Sequence, residues 1–438
     1  MDLRSIFIFS VVCYFLFKAI KDPYLGVMVM AWIGYMNPHR MVPWGFIYSL
    51  PLAAMAFAVT FIAFMLDKNK PKFVWHTPSI LMVIFLGWCL LTTLFAINPS
   101  ASSELMRFIK IMLTVAIVLM IIRSKKQIVI FVAVIAASIG FYSTKGGIFA
   151  VLTGGKFRVW GPPDSFIEGN NELALATLMV LPLMFFLLTE VKNKWIKFAL
   201  MAGIGFSVLS VIASYSRGAF LAMIVTAGFL WLKSKIKIPL AIVGFVFALA
   251  ALPLIPQQWW DRMDTIENYE EDASAMGRIN SWTMAFNLAK ARPLGGGFRT
   301  FGPTTFALYA PDPSKIHDAH SIYFEIMAEQ GFIGLLLFLG ILGTTWRLAN
   351  RNIKLAKANE KTEWIANLNR MLQVSLVAYM SGGAFLGLGY WDLPYHLCAI
   401  VMVTSIWLMQ NKESSNDLQE KVPREKIICP ETGRTILQ

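Results

Sequence analysis

The chain has 438 residues, of which 57% are apolar and only 15% charged, and it carries a formal net charge of +13. Such a balance excludes a soluble multidomain protein and describes a chain whose solvent is mostly lipid. The basic excess would point to nucleic acid in a soluble protein. Here the positive-inside bias of loops on one membrane face accounts for most of it, so no nucleic-acid partner is expected.

The apolar residues come in continuous runs rich in Leu, Ile, Met and Phe, not in the short alternating strands of a barrel. The expected fold is therefore all-α: a polytopic integral membrane protein of about 12–13 transmembrane helices, judged at about twenty residues per crossing. In chain order the runs are 4–20, 23–36, 46–66, 79–97, 105–122, 127–152, 172–188, 195–213, 218–232, 238–255, 320–346, 371–388 and 393–409. The first run lacks a small-residue cleavage site and reads as retained membrane sequence. Four parts follow: N-terminal membrane helices over 1–256, a long outer loop over 257–319, C-terminal helices over 320–410, and a polar tail over 411–438. Cys13, Cys89 and Cys398 sit in apolar runs and Cys429 in the tail, with no disulfide, haem or metal spacing among them.

If each run crosses once, basic clusters fall on one side: Lys68, Lys70 and Lys72; Arg123, Lys125 and Lys126; Lys192, Lys194 and Lys197; Lys233, Lys235 and Lys237; and 347–370. That side should be the cytoplasm, which sets the opposite face, with its loops 37–45, 98–104, 153–171 and 257–319, toward the periplasm of a bacterial inner membrane. The outer side nevertheless holds Lys156, Arg158, Arg217, Arg262, Arg278, Lys290, Arg292, Arg299 and Lys315. Long loops translocate whatever their charge, which accounts for Lys290 and Lys315. Arg217, wedged between two apolar runs at Ser214-Tyr-Ser-Arg-Gly-Ala219, asks for another reason, and an anionic substrate head is the economical one. A planar, permanently charged fork suits a phosphate or diphosphate.

Arg278 opens a stretch, 279–291, that reads as an amphipathic helix lying along the membrane surface, with Trp282, Ala285, Phe286 and Ala289 at helical spacing. The Gly-rich run 293–298 ends it as a turn; without a preceding strand and a following Lys-Ser/Thr it is no P-loop. His317 and His320 precede an apolar helix that carries Glu325 and Glu329 at its mouth. A neutral imidazole there is suited to removing a proton from a sugar hydroxyl near neutral pH. No His-Glu-x-x-His or comparable spacing favours a metal, and no cofactor is expected. Lys156, Arg158, Trp160, Asn170, Asn171 and Glu172 form a second outer polar patch, equally readable as sugar contacts or as helix cap and aromatic belt.

Ser-Arg-Gly-Ala at 216–219, Gly-Arg-Ile at 277–279, Pro-Leu-Gly-Gly-Gly at 293–297, and His-Ser-x-Tyr with Glu-x-Gly-x-x-Gly over 320–334 together resemble the O-antigen ligase and polymerase superfamily. Met36-Asn-Pro-His-Arg40 with Trp44-Gly-Phe46, and Arg158-Val-Trp-Gly-Pro-Pro163 with Phe166-Ile-Glu-x-Asn-Asn171, are similar to its O-glycosylation ligases associated with exosortase systems. The resemblance implies a metal-independent membrane glycosyltransferase that moves a glycan from undecaprenyl diphosphate to an acceptor at the periplasmic face. The acceptor would be lipid A core, a protein or a polysaccharide. It also implies His320 as the base and Arg217, with Arg278, on the donor diphosphate. Lys156, Arg158, Asn171, Tyr215, His317 and Glu325 are then the candidate substrate contacts. Alternatives are a polymerase of the same superfamily, a metal-dependent oligosaccharyltransferase, for which the loop 37–45 lacks the acidic pair, and a flippase of lipid-linked sugars.

Overall fold

A computed structural model describes residues 3–42, 45–68, 70–234, 236–252, 255–264, 273–357, 359–421, 427–428 and 435–436. Trp44, Lys235, Pro253, Glu270, Asp272 and Cys429 lie outside the described residues, as do the side chains of Arg262 and of every residue from 412 onward.

Helices stand at all thirteen apolar runs. They are α1 (Leu3–Ala19), α2 (Pro23–Met36), α3 (Leu52–Leu66), α4 (Thr77–Leu94), α5 (Ala101–Ile121), α6 (Lys125–Leu152), α7 (Asn170–Glu190), α8 (Lys194–Ile212), α9 (Arg217–Lys233) and α10 (Lys237–Ala251), then, after the outer loop's own three helices, α14 (Ile322–Ala356), α15 (Glu363–Gly382) and α16 (Asp392–Lys421). The intervening three are α11 (Gln257–Asp264), α12 (Ala273–Ala291) and α13 (Pro303–Tyr309). Two-residue strands, Ile427–Ile428 and Thr435–Ile436, pair antiparallel in the tail.

Local chemistry sets the helix starts. Asp22 accepts from the Tyr24 amide ahead of a proline at the first helical position of α2. Ser124 and Gln127 form a reciprocal capping box on α6, and Ser216 accepts from the Ala219 amide to cap α9.

Among the described residues, six helices are long and apolar enough to cross a bilayer: α4, α6, α7, α8, α14 and the first twenty residues of α16. The chain is a multi-pass membrane protein. Fewer helices meet that standard than the 12–13 crossings expected, because α1, α2, α3, α9 and α10 have only 14 to 17 residues and α5 carries Glu104, Arg107 and Lys110. In α15, in turn, Asn369, Arg370 and Gln373 interrupt the apolar run.

Helix α15 is packed among α7, α9, α14 and α16. Polar groups inside the bundle find one another, as lipid offers them nothing. Asn352 of α14 donates to Val401 O (2.9 Å) and Thr404 Oγ1 (3.2 Å) of α16, and Asn369 of α15 donates to the same hydroxyl (3.0 Å).

Two expectations need correction. The run 320–346 is not one uninterrupted helix: α14 breaks at Gly331, whose φ of 68° and ψ of −175° lie outside helical space. The break frees carbonyls, and each finds a donor. Gly296 N bonds Ala328 O and Gly297 N bonds Glu329 O, both at 2.8 Å, while Trp88 Nε1 bonds Gln330 O at 2.8 Å. The Gly-rich turn therefore spends its amides on α14 and cradles no phosphate. A Cβ on Gly331 would lie 2.1 Å from Pro293 O, so only glycine fits the interlock.

The second correction concerns α12, which starts at Ala273 and does not lie free along a membrane surface. Met284, Ala285, Leu288 and Ala289 are buried with Phe306 of α13 and with Met327 and Ala328 of α14. Phe286, from the expected stripe, stays 46% exposed.

Candidate active site

One small cleft of about 40 Å³, open to solvent, forms where the N-termini of α7 and α9, the start of α12 and the 382–386 turn meet. Asn171, Ser216, Arg217, Ser274, Arg278 and Phe385 are among its lining. Arg217 occupies the first helical position of α9, so its guanidinium adds to the positive end of that helix's dipole. Gly218 lets α9 approach the turn: a Cβ there would lie 2.7 Å from the Phe385 Cβ. Asn170 ties α7 to the chain just ahead of Arg217, donating to Ser214 O at 2.7 Å.

His320 stands just before α14, with a positive φ of 42°, partly buried. It is not among the cleft's lining residues, but Arg278 acts on it electrostatically from the cleft side, with Asp318 and His317 as its other charged neighbours. Burial holds its pKa below the ordinary 6.5; Asp318 pulls it up, and Arg278 and His317 push it further down. The resting imidazole is therefore neutral at neutral pH, the form a base requires.

Three consecutive side chains of α12 hold the segment that carries this histidine. Asn280 donates to Asp312 O (2.9 Å) and Lys315 O (3.0 Å) and accepts from the Asp312 amide (3.0 Å). Ser281 donates to His317 O at 3.0 Å. Trp282 donates to Ala319 O at 2.7 Å and stacks on Phe324 with centroids 4.9 Å apart. One helix thus fixes both Arg278 and the approach to His320. Asn280 and Ser281 were not among the expected site residues; they follow Gly-Arg-Ile directly, and that adjacency was the signal that could have found them.

The remaining expected residues lie as follows. His317 is exposed, and its ring lies on α12 within 2.7 Å of the point a Cβ on Gly277 would occupy. Glu325 accepts from the Gly389 amide at 2.9 Å and so braces the turn before α16, outside the cleft lining. Asp318, weighed from the sequence only as a metal ligand, comes within 3.4 Å and Glu325 within 3.5 Å of the same point above Gly387. Tyr215 is buried, φ 58°, and sends its hydroxyl to Gly155 O at 2.7 Å; burial raises its pKa. Lys156 and Arg158 are exposed on the 153–169 loop and do not line the cleft, whereas Asn171 does.

The other outer cations with described partners are occupied locally. Arg299 pairs with Glu104 (2.6 Å), Lys315 with Asp312 (3.3 Å), Arg292 donates to Phe95 O (2.7 Å), and Lys290 sits 5.7 Å from the Phe286 ring. Among the described residues no group of three or more His, Cys, Asp or Glu could share a metal ion.

Residues 202–339, which contain Arg217, Arg278 and His320, match the family model described as O-antigen ligase. Over this segment the chain is similar to the O-antigen ligase family. Residues 3–192 match a second model, described as a family of unknown function, which takes in the loop 153–169 and Asn171. No curated protein matches the chain. The ligase-family segment therefore supplies both arginines and the histidine, and the other matched segment one wall of the cleft.

Proposed function

We propose that this protein is a periplasm-facing glycosyltransferase of the O-antigen ligase type, moving a glycan from undecaprenyl diphosphate to a hydroxyl of lipid A core, a protein or a polysaccharide. The observation that carries the proposal is the convergence of Arg217 and Arg278 on one cleft, with a neutral histidine electrostatically coupled to the second of them. The donor's diphosphate sits between the two guanidinium groups. His320 takes the proton of the acceptor hydroxyl as its oxygen attacks the anomeric carbon. The bond from that carbon to the phosphate oxygen breaks, and the charge that develops on the departing diphosphate falls where two fixed cations and the α9 N-terminus favour it. A single displacement of this kind inverts the anomeric centre.

The test uses purified protein, a defined undecaprenyl-diphosphate glycan and an acceptor, with chelator present. Transfer in the wild type and none in His320→Ala or Arg217→Ala is the expected result. Movement of the donor across vesicles without bond formation would instead make the protein a flippase and overturn the proposal.

A further inference from the structure

A larger cavity lies elsewhere. It is a groove of about 720 Å³ lined by α6, α7 and α8, among them Ala136, Gly140, Met184, Leu187, Leu200 and Gly203. Toward its cleft end α6 and α8 meet backbone to backbone: a Cβ on Gly147 would lie 1.9 Å from Phe206 O, and Ser143 and Ser207 share a hydrogen bond of 2.8 Å. Beside this crossing the otherwise apolar lining holds one charge, Lys145.

Lys145 belongs to a helix that crosses the bilayer, its side chain is exposed, and among the described residues it has neither ion pair nor hydrogen bond. A cation so placed is costly unless something anionic meets it. Its depth is informative. The 28 residues of α6 span roughly 42 Å at about 1.5 Å each, against a hydrocarbon core of about 30 Å. Lys145 is seven residues from the Leu152 end, or about 10 Å, which puts its Cα a few ångströms inside the hydrocarbon. Its stem can then carry the ammonium to the headgroup boundary. From Lys145 down to Ala133 on α6 is about 18 Å along the helix, and the lining continues to Val191 and Ile196 at the turn between α7 and α8, so the groove exceeds the roughly 15 Å of a single leaflet and has room for a full acyl chain.

We infer that this groove binds an anionic glycerophospholipid, one acyl chain lying along α6 and its phosphodiester paired with Lys145. Charge decides between lipid classes. A phosphodiester carries one negative charge and meets one ammonium here, whereas a polyprenyl diphosphate carries more and meets two guanidinium groups in the cleft. The groove and the cleft share no lining residue, so the inference stands or falls independently of the transferase proposal.

The full-length protein in an uncharged detergent would be titrated with phosphatidylglycerol, with phosphatidylcholine of the same chains, and with undecaprenyl monophosphate, reading bound lipid by native mass spectrometry. Phosphatidylglycerol should bind one per chain and in preference to the other two. Lys145→Ala should weaken it by roughly tenfold or more, the effect of losing a hydrogen bond to a charged group. Lys145→Arg should restore it, and Arg217→Ala should leave it unchanged. Equal binding of phosphatidylcholine, unaltered binding in Lys145→Ala, or displacement by undecaprenyl monophosphate would each overturn the inference.

Discussion

The molecule has two polar regions that look alike as strings of letters and differ once folded. One is the cleft with Arg217 and Arg278; the other is the 153–169 loop with Lys156 and Arg158. Both offer two cations near aromatic residues. In the cleft, helix ends from three distant parts of the chain and the 382–386 turn surround the guanidinium groups, so their charges act in a confined, partly desolvated space. On the loop, the cations are exposed beside Phe157 and Trp160, each 60% exposed, where water screens them. What separates a candidate reaction centre from a peripheral basic patch here is enclosure, not residue type.

The contrast is broken most directly at the chemistry. His320→Ala should reduce transfer by roughly 10²–10⁴-fold, the range for losing a general base, with little change in the unfolding midpoint because the residue caps nothing. Arg217→Ala should follow at about 10²–10³-fold, the cost of one transition-state electrostatic contact. Arg217→Lys should recover little of it, because an ammonium lacks the planar fork. If either alanine variant kept wild-type initial rates, the cleft would be no different in kind from the loop.

A second test addresses what holds the site in shape. Gly331→Ala puts a methyl group 2.1 Å from Pro293 O at a φ of 68°, a conformation that costs a side chain about 1–3 kcal/mol. Thermal unfolding should therefore begin lower, and transfer should fall in proportion, since the 293–298 turn is the end of the helix that bears Arg278. Asn280→Ala should act more gently, raising KM or lowering kcat by roughly fivefold to tenfold through one or two lost hydrogen bonds that now hold the segment before His320.

The pH profile sharpens the role of the histidine. Burial sets its pKa below 6.5, against the pull of Asp318. A base works unprotonated, so transfer should hold steady at neutral pH and fall as the pH drops through that lowered value. Asp318→Asn removes the carboxylate that favours the protonated form, so the acid limb should move to still lower pH. A limb that moved upward instead would mean that His320 is not the titrating group.

How much of this was legible beforehand follows from the range of the interactions. Apolar runs declare themselves locally, and every one of the thirteen became a helix. The arginine in Ser216-Arg-Gly218 stood out because a charge between two apolar runs needs no partner to be conspicuous. The break at Gly331 was hidden, because Gln-Gly-Phe reads as continuing helix until Pro293–Gly297 arrives from about forty positions upstream to take its carbonyls. The packing of α12 was hidden for the same reason: an apolar stripe suits a lipid surface and a neighbouring helix equally, and only the tertiary partners, Met327, Ala328 and Phe306, decide. Tyr215 beside Arg217 looked like a sugar contact, yet its left-handed backbone turns the ring inward to Gly155.

The smallest expected effect completes the comparison. Lys156 and Arg158 were read as substrate contacts from their place in a polar, aromatic patch, and their exposure predicts that neither is decisive. Replacing both with alanine should change transfer by no more than about threefold at physiological salt, the size of effect expected when screened surface charges are lost. Because their contribution is long-range attraction of an anionic donor to the outer surface, what remains should appear in KM and shrink as salt is raised, leaving kcat alone. The loop itself should stay in place without them, since it is fastened by other groups: Val159 N to Ala213 O at 3.1 Å, Gly161 N to Glu168 O at 2.8 Å, and Arg40 to Asp164 at 3.0 Å. A hundredfold loss in kcat from the double variant would instead mean that the loop closes over the cleft during turnover and delivers these cations to the reacting groups, and the distinction between the two regions would collapse.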